Sequence, residues 1–336
     1  MNQKKICLTG IKPTGIPHLG NYFGAIQTAL EDQKHYDCRF FIADYHALNS
    51  IRDRKSSSLQ EDTYQVAATW LACGLNPDQV IFYRQSSISE IAELTVILMN
   101  FTAKGLMNRA HAYKAAISEN EQRGADLDKG INMGLFNYPI MMAADILLFR
   151  SNLVPIGKDQ IQHLEITAEI AQHFNSVTKS DFLVIPKPLL KEDNLTIIGT
   201  DGRKMSKSYG NTITLFADAK EITKKVMKIP TSSQSVEEPK DPKSCNVFSL
   251  YKKVAKKQDI EDLAKRYEAG GLSFGEAKQL LAEAIIEKFH PMKKIYDDIL
   301  TNREKIDDIL IQGEKKARAI ARENLNEIKK IIGIAH

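Results

Sequence analysis

The sequence predicts an α/β fold: a doubly wound parallel sheet followed by an α-helical C-terminal domain. Two observations carry this. Short apolar runs alternate with helically spaced segments through the first half of the chain, the pattern of strands joined by crossover helices. After about residue 216 the strand signals stop and amphipathic helical spacing takes over. With 336 residues the chain has room for both parts. The boundaries expected are 1–215 for the α/β domain, with 103–130 as a mobile insertion, and 216–336 for the helical one.

The elements follow in order. "KKICLTG" is an apolar run ending at Gly10 and reads as the first strand. "HLGNYFGAIQTALEDQ" has helical spacing. "CRFFIAD" (38–44) is a second, buried strand. Residues 56–73 read as a helix closed by Gly74. "VIFYRQS" (80–86) is a third strand and 89–102 a helix. From 103 to 130 the pattern weakens into a polar, basic stretch, suited to a mobile active-site segment. Residues 131–149 are helical again, "LVPIG" (153–157) is a strand leading into the helix "KDQIQHLEITAEIAQHF", and "DFLVIP" (181–186) is a further strand. A Pro/Ser-rich connection, 230–244, precedes helices expected at 259–268, 275–289 and 291–310.

Composition narrows the class without naming it. The net charge of +4 is mild and compatible with a polyanionic partner. Cys7, Cys38, Cys73 and Cys245 show no CxxC pair and no metal-ligand spacing; a reduced, cytoplasmic setting is the expectation. The beginning, "MNQKKICLTG", has no apolar stretch of signal-peptide length, and no uncharged run reaches membrane-spanning length.

Three stretches carry chemistry. "TGIKPTGIPHLGNYFG" (9–24) follows a strand and opens a helix, the position at which parallel sheets bind phosphates. Its glycines allow close backbone approach, and Lys12, His18 and Asn21 are polar groups beside them. The plainer reading is an ordinary strand-to-helix turn. "DGRKMSKSYGN" (201–211) sets Lys204 and Lys207 among small hydroxyl residues between Gly202 and Gly210. Such a loop can close on a triphosphate and stabilise a pyrophosphate leaving group; as a solvated basic loop it would do nothing. A third, "NYPIMMAADILLF" (137–149), buries a single aspartate, Asp145, in an apolar helix. A carboxylate there requires a partner, either a group of its own chain such as Arg150 or a ligand.

The two signatures together resemble class I aminoacyl-tRNA synthetases. His18-Leu19-Gly20-Asn21 is similar to their HIGH motif, with Asn21 in place of the second histidine, and Lys204-Met205-Ser206-Lys207-Ser208 matches KMSKS letter for letter. Order and separation resemble the subclass of the tryptophanyl and tyrosyl enzymes. "MAADIL" and "VPIGKDQIQHLE" resemble the tryptophanyl branch: tyrosyl enzymes carry a glutamine where Met142 stands, three residues before Asp145. Met142 and its neighbours form an apolar, polarisable face, and an indole needs such a slot plus one acceptor for its N–H. Asp145 can supply it.

The resemblance, which covers roughly residues 5–330, implies a Rossmann-like catalytic domain and a two-step reaction. L-tryptophan and ATP give tryptophanyl-adenylate and pyrophosphate, and the tryptophan then passes to tRNA(Trp). It implies His18, Lys204 and Lys207 as catalytic groups. It implies ATP contacts from Lys12, Pro13, Thr14, Gly20 and Asn21, from Gly157, Lys158 and Asp159, from Leu195, and from Met205, Ser206 and Ser208 of the loop. Lys114, in a basic stretch, is a further ATP candidate. Asp145, Tyr138, Met142 and Gln160 are implied to bind tryptophan. No metal ligands are expected, with Mg2+ carried on ATP. Basic residues of the helical part, among them Lys316, Arg318 and Arg322, are expected to meet tRNA phosphates, and a homodimer is implied, with interface surface around 100–150. The competing readings are a tyrosyl-tRNA synthetase and a non-catalytic RNA-binding paralogue.

Overall fold

The computed structural model describes residues 4–49, 59–157, 160–190 and 197–334. The chain opens with β1 (Ile6–Ile11), then α1 (Leu19–Asn21), a π-helical stretch Tyr22–Ile26, and α2 (Gln27–His35). There follow β2 (Asp37–Ile42), α3 (Asp44–Ala47), α4 (Leu59–Ala72), β3 (Ile81–Arg84) and α5 (Ser89–Met99). Next come α6 (Lys104–Met107), α7 (His111–Gln122), α8 (Met133–Leu148), β4 (Leu153–Pro155), α9 (Ile161–Thr178) and β5 (Lys187–Leu189). The rest is helical: α10 (Ala219–Val226), α11 (Asn246–Val254), α12 (Lys257–Ala269), α13 (Phe274–Thr301) and α14 (Arg303–Ile331).

The sheet order is β3-β2-β1-β4-β5 and every pairing is parallel. Side chains alternate between its faces. Cys7, Cys38, Phe40, Ile42 and Phe82 join a core with α2, α4, α11 and α13, while Leu8, Phe41, Tyr83 and Val154 join one with α5, α8, α9 and the second half of α14. The chain winds outward from β1 to β3, then returns to place β4 on the other side of β1. The crevice above the carboxyl ends of β1 and β4 is therefore the switch point at which such sheets bind ligands.

Four expectations change. The strand expected at 181–186 is absent; β5 follows it directly at Lys187. The segment docks by its backbone on Asn175 instead, whose side chain accepts from the Leu183 N–H at 3.1 Å and donates to its carbonyl at 2.8 Å. The 103–130 segment is largely helical, in α6 and α7, with the Asn120 amide donating to the Leu127 and Lys129 carbonyls. The helices expected at 275–289 and 291–310 are cut elsewhere: α13 runs through Pro291, and the break falls at Asn302, whose side chain caps α14 by accepting the Lys305 N–H. Finally, Arg318 and Arg322 lie against the α/β body. Arg322 pairs with Glu90 at 2.9 Å and Arg318 donates to the Ser87 carbonyl, whereas Lys316 is exposed.

Candidate active site

The turn after β1 and the KMSKS loop meet although their contacting residues lie 193 positions apart: Lys207 Nζ donates to the Thr14 carbonyl at 2.5 Å. Backbone bonds hold them together. Leu19 N–H donates to the Ile213 carbonyl and Leu215 N–H to the Pro17 carbonyl, both at 3.0 Å, and His18 is bridged to Thr214. The loop is itself a hairpin, with Met205 N–H on the Ile197 carbonyl at 2.7 Å. Met205 is buried and packs on Gly20, where a Cβ would stand 2.9 Å from the His18 ring. Only glycine lets the imidazole lie over that helix turn. Ser206 and Ser208 bond to each other through their hydroxyls, and Lys204 is exposed to solvent.

His18 is buried and its backbone N–H is capped by Asn21 Oδ1 at 3.0 Å. Burial, with the Lys207 ammonium nearby, pushes its pKa down to about 4. The ring is thus neutral at physiological pH, and its Nδ1 has no hydrogen-bond partner among the described residues. A buried polar atom left open at the start of a helix is what a phosphate oxygen would satisfy.

Between β1 and β4 a cleft of about 300 Å3 opens. Gly10 lines it from β1 and Lys12 from the turn that follows, Gly157 and Gln160 from the segment after β4, and Tyr138, Met142 and Asp145 from one face of α8. Leu8, Phe41 and Ile156 add apolar walls. The Tyr138 hydroxyl lies 2.7 Å from His163 Nε2, and burial raises its pKa to about 12, so it remains a neutral phenol. Lys158, Asp159 and Leu195 lie outside the described residues. Lys114 is exposed on α7 and does not line the cleft.

Asp145 is 1% exposed and borders the cleft. Its partner is not Arg150, which is exposed and stacks its guanidinium 4.8 Å from the centre of the Phe182 ring. His46 Nε2 lies 2.8 Å from Oδ2, and Gln85 Nε2 donates to both carboxylate oxygens at 2.9 Å. Burial raises the Asp145 pKa, and the His46 and Gln85 bonds oppose that rise. No motif in the sequence marks either residue, yet both carry a signal. His46 follows the end of β2 and Gln85 the end of β3, on the ligand-binding side of the sheet.

Residues 1–290 match the family of tRNA synthetases class I (W and Y). The chain is 45% identical over 334 residues to the tryptophan–tRNA ligase of Neisseria meningitidis, covering 98% of each. It is 44% identical to that of Bordetella parapertussis over 97% of this chain and 72% of that protein. Among solved structures, tryptophanyl-tRNA synthetase of Campylobacter jejuni, complexed with ADP and tryptophan, superposes with a TM-score of 0.87 at 39% identity over 98% of this chain and 99% of that one. With the HLGN turn and KMSKS loop locked together beside the cleft, and with this identity sustained end to end, the chain belongs to the tryptophan–tRNA ligases, enzymes of the class I aminoacyl-tRNA synthetase family.

Proposed function

We propose that the cleft binds L-tryptophan and ATP side by side, with Asp145 accepting the indole N–H and the HLGN and KMSKS segments holding the phosphates. The observation that carries this is the buried Asp145 carboxylate beside the apolar wall of Leu8, Phe41, Met142 and Ile156, in a cleft next to the joined signatures. Met142 supplies a polarisable wall for the ring, and Tyr138 and Gln160 stand where the amino and carboxylate ends of the substrate would lie. Gly157 meets the ATP ribose, and Lys12, Pro13, Thr14, Gly20 and Asn21 its phosphates.

The tryptophan carboxylate attacks the α-phosphorus in line; the bond to the β-phosphate oxygen breaks and pyrophosphate leaves. Little covalent chemistry falls to the protein, so positioning and charge stabilisation dominate. The neutral His18 imidazole donates one N–H to a phosphate oxygen. Lys204 and Lys207 meet the charge that builds on the pyrophosphate. Mg2+ carried by ATP would neutralise further charge; among the described residues no group of three or more His, Cys, Asp or Glu side chains could hold the ion. In the second step the terminal ribose 2′-hydroxyl of tRNA(Trp) attacks the acyl carbon and AMP leaves. Residues 1–215 carry the catalysis and exposed basic groups of 216–336, such as Lys316, the tRNA contacts, while α14 also braces the α/β body. The protein works in the cytoplasm as a homodimer, for which exposed Leu127 and, on α8, Met133, both within the 100–150 segment, offer apolar surface. Among the described residues no helix is long and apolar enough to cross a membrane.

ATP–pyrophosphate exchange with each of the twenty amino acids tests this. Tryptophan alone is expected to support exchange at low concentration, and equal exchange with tyrosine would sink the assignment. Asp145→Ala should lower kcat/KM for tryptophan by roughly 100-fold or more, the scale for losing a hydrogen-bonded charged partner in a buried site, while ATP binding persists.

A further inference from the structure

Gln85 does not line the cleft, yet it is fully buried and its side-chain NH2 is directed at one group. Its Nε2 lies 2.9 Å from both oxygens of Asp145. Its Oε1 accepts the backbone N–H of His46 at 3.3 Å, which settles the orientation of the amide: the NH2 must face the carboxylate. The next residue is fixed as well. Ser86 donates its backbone N–H to Asp44 Oδ1 at 2.9 Å and its hydroxyl to the other oxygen of Asp44. On the other side Arg84 is gripped by Glu314 at 2.6 Å and Asp307 at 3.2 Å. The residues on both sides of Gln85 are therefore held by ion pairs and hydrogen bonds, which fixes the backbone from which its side chain reaches Asp145.

An ionised carboxylate offers about four lone-pair positions. With Gln85 across both oxygens and His46 on Oδ2, the larger remaining acceptor capacity is on Oδ1. We infer that Gln85 is a positioning residue for tryptophan recognition: from behind, it keeps Asp145 an acceptor and aims Oδ1 at the indole N–H. This rests on the reading of Asp145 as the indole partner. An amide suits the task because it donates without carrying a charge of its own. A carboxyl at 85 would share a proton with Asp145, as like acids in contact do, and turn an acceptor into a donor. An apolar residue at 85 would leave the aspartate held on one oxygen only.

The test compares Gln85→Met, Gln85→Glu and Asp145→Asn by exchange kinetics, with KM measured separately for tryptophan and ATP. A tryptophan analogue with sulfur in place of the indole N–H serves as the second substrate. Gln85→Glu keeps the size of the side chain and the oxygen that receives the His46 N–H, so it guards against failure of the apolar variant to fold. In both Gln85 variants the tryptophan KM should rise roughly 10- to 100-fold, the scale for a lost hydrogen bond to a charged group. The ATP KM should stay within about twofold, and preference for tryptophan over the sulfur analogue should shrink by a similar factor. An unchanged tryptophan KM and preference in the Gln85 variants overturns the inference. So does a joint rise in both KM values with loss of folded protein, because that is what a purely structural residue produces. If Asp145→Asn leaves tryptophan KM and analogue preference unchanged, the reading of Asp145 itself has failed, and that failure is distinguishable from one confined to Gln85.

Discussion

At the scale of single residues, the site is defined by polar groups held in unfavourable surroundings for a purpose. His18 is the clearest. Its pKa lies near 4 against the ordinary 6.5, chiefly through burial and secondarily through Lys207. A histidine whose folded-state pKa is depressed contributes its stability fully above about 6.5 and loses it as pH falls toward about 4, because the unfolded chain takes the proton first. Relative to His18→Gln, the protein should therefore lose stability progressively between pH 6.5 and pH 4, which urea titrations at several pH values would reveal; a difference constant across that range contradicts the burial of the ring. Activity should likewise show no inflection near 6.5 from this residue. His18 and Asp145 are legible in the sequence, one from its motif and the other from its odd placement in an apolar helix. His46 and Gln85 are marked only by their place after strand ends, because nothing in "ADYHA" or "YRQSS" tells that the two strand ends will converge on a third element. That convergence is a product of the β3-β2-β1-β4 order, which residue spacing does not encode.

At the scale of elements, the KMSKS hairpin depends on a residue just beyond its signature. Asn211 is 2% exposed; it donates to Asp201 Oδ1 at 2.7 Å and to the Lys204 carbonyl at 3.0 Å, and it accepts the Ser206 N–H at 2.7 Å. One amide thus grips both sides of Met205, and Gly199 leaves it room, since a Cβ there would come within 2.4 Å of it. Asp201 feels the same amide, whose hydrogen bond is the main reason its pKa falls to about 2. In Asn211→Asp both donations are lost and a second carboxylate faces Asp201. We expect kcat for exchange to fall roughly 10- to 100-fold, the scale for misplacing a catalytic group by about an ångström, with tryptophan KM within about twofold. A parallel change in tryptophan KM would show that the effect is not confined to the loop. The elements themselves are legible in the sequence where periodicity and punctuation agree, as in α5, α8 and α9. They mislead where a tertiary contact decides. "DFLVIP" has strand composition, but the Asn175 side chain takes its backbone bonds, and Pro291 has a breaker's identity, but α13 continues on the packing of Ile285, Phe289 and Tyr296 into the core.

At the scale of the whole molecule, the final helix is part of the α/β body rather than an appendage to it. β3 is the edge strand of the sheet, and an uncovered edge invites pairing with other chains. Here α14 lies along it. Gly313 sits so close that a Cβ would stand 1.8 Å from the Phe82 carbonyl oxygen, an approach no larger residue permits. Arg84 and Tyr64 reach Asp307, Arg84 reaches Glu314, and Asn324 donates to the Leu148 carbonyl at the end of α8. One helix therefore holds the strand that leads into Gln85 and the helix that carries Asp145. Gly313→Ala should force α14 off β3 and destabilise the protein by about 2 kcal/mol or more, as overpacking of a close contact does. It should also raise tryptophan KM, since the displaced strand runs directly into Gln85. Gly105→Ala is the matched control: nothing lies within 4 Å of where its methyl group would stand, and alanine is the better helix former, so stability there should hold or rise slightly. Denaturant midpoints for the two variants, with exchange kinetics on each, decide the matter. If Gly313→Ala is as stable as Gly105→Ala, α14 does not clamp the sheet edge; if it is unstable but binds tryptophan normally, the clamp serves folding alone and the tryptophan site is independent of it.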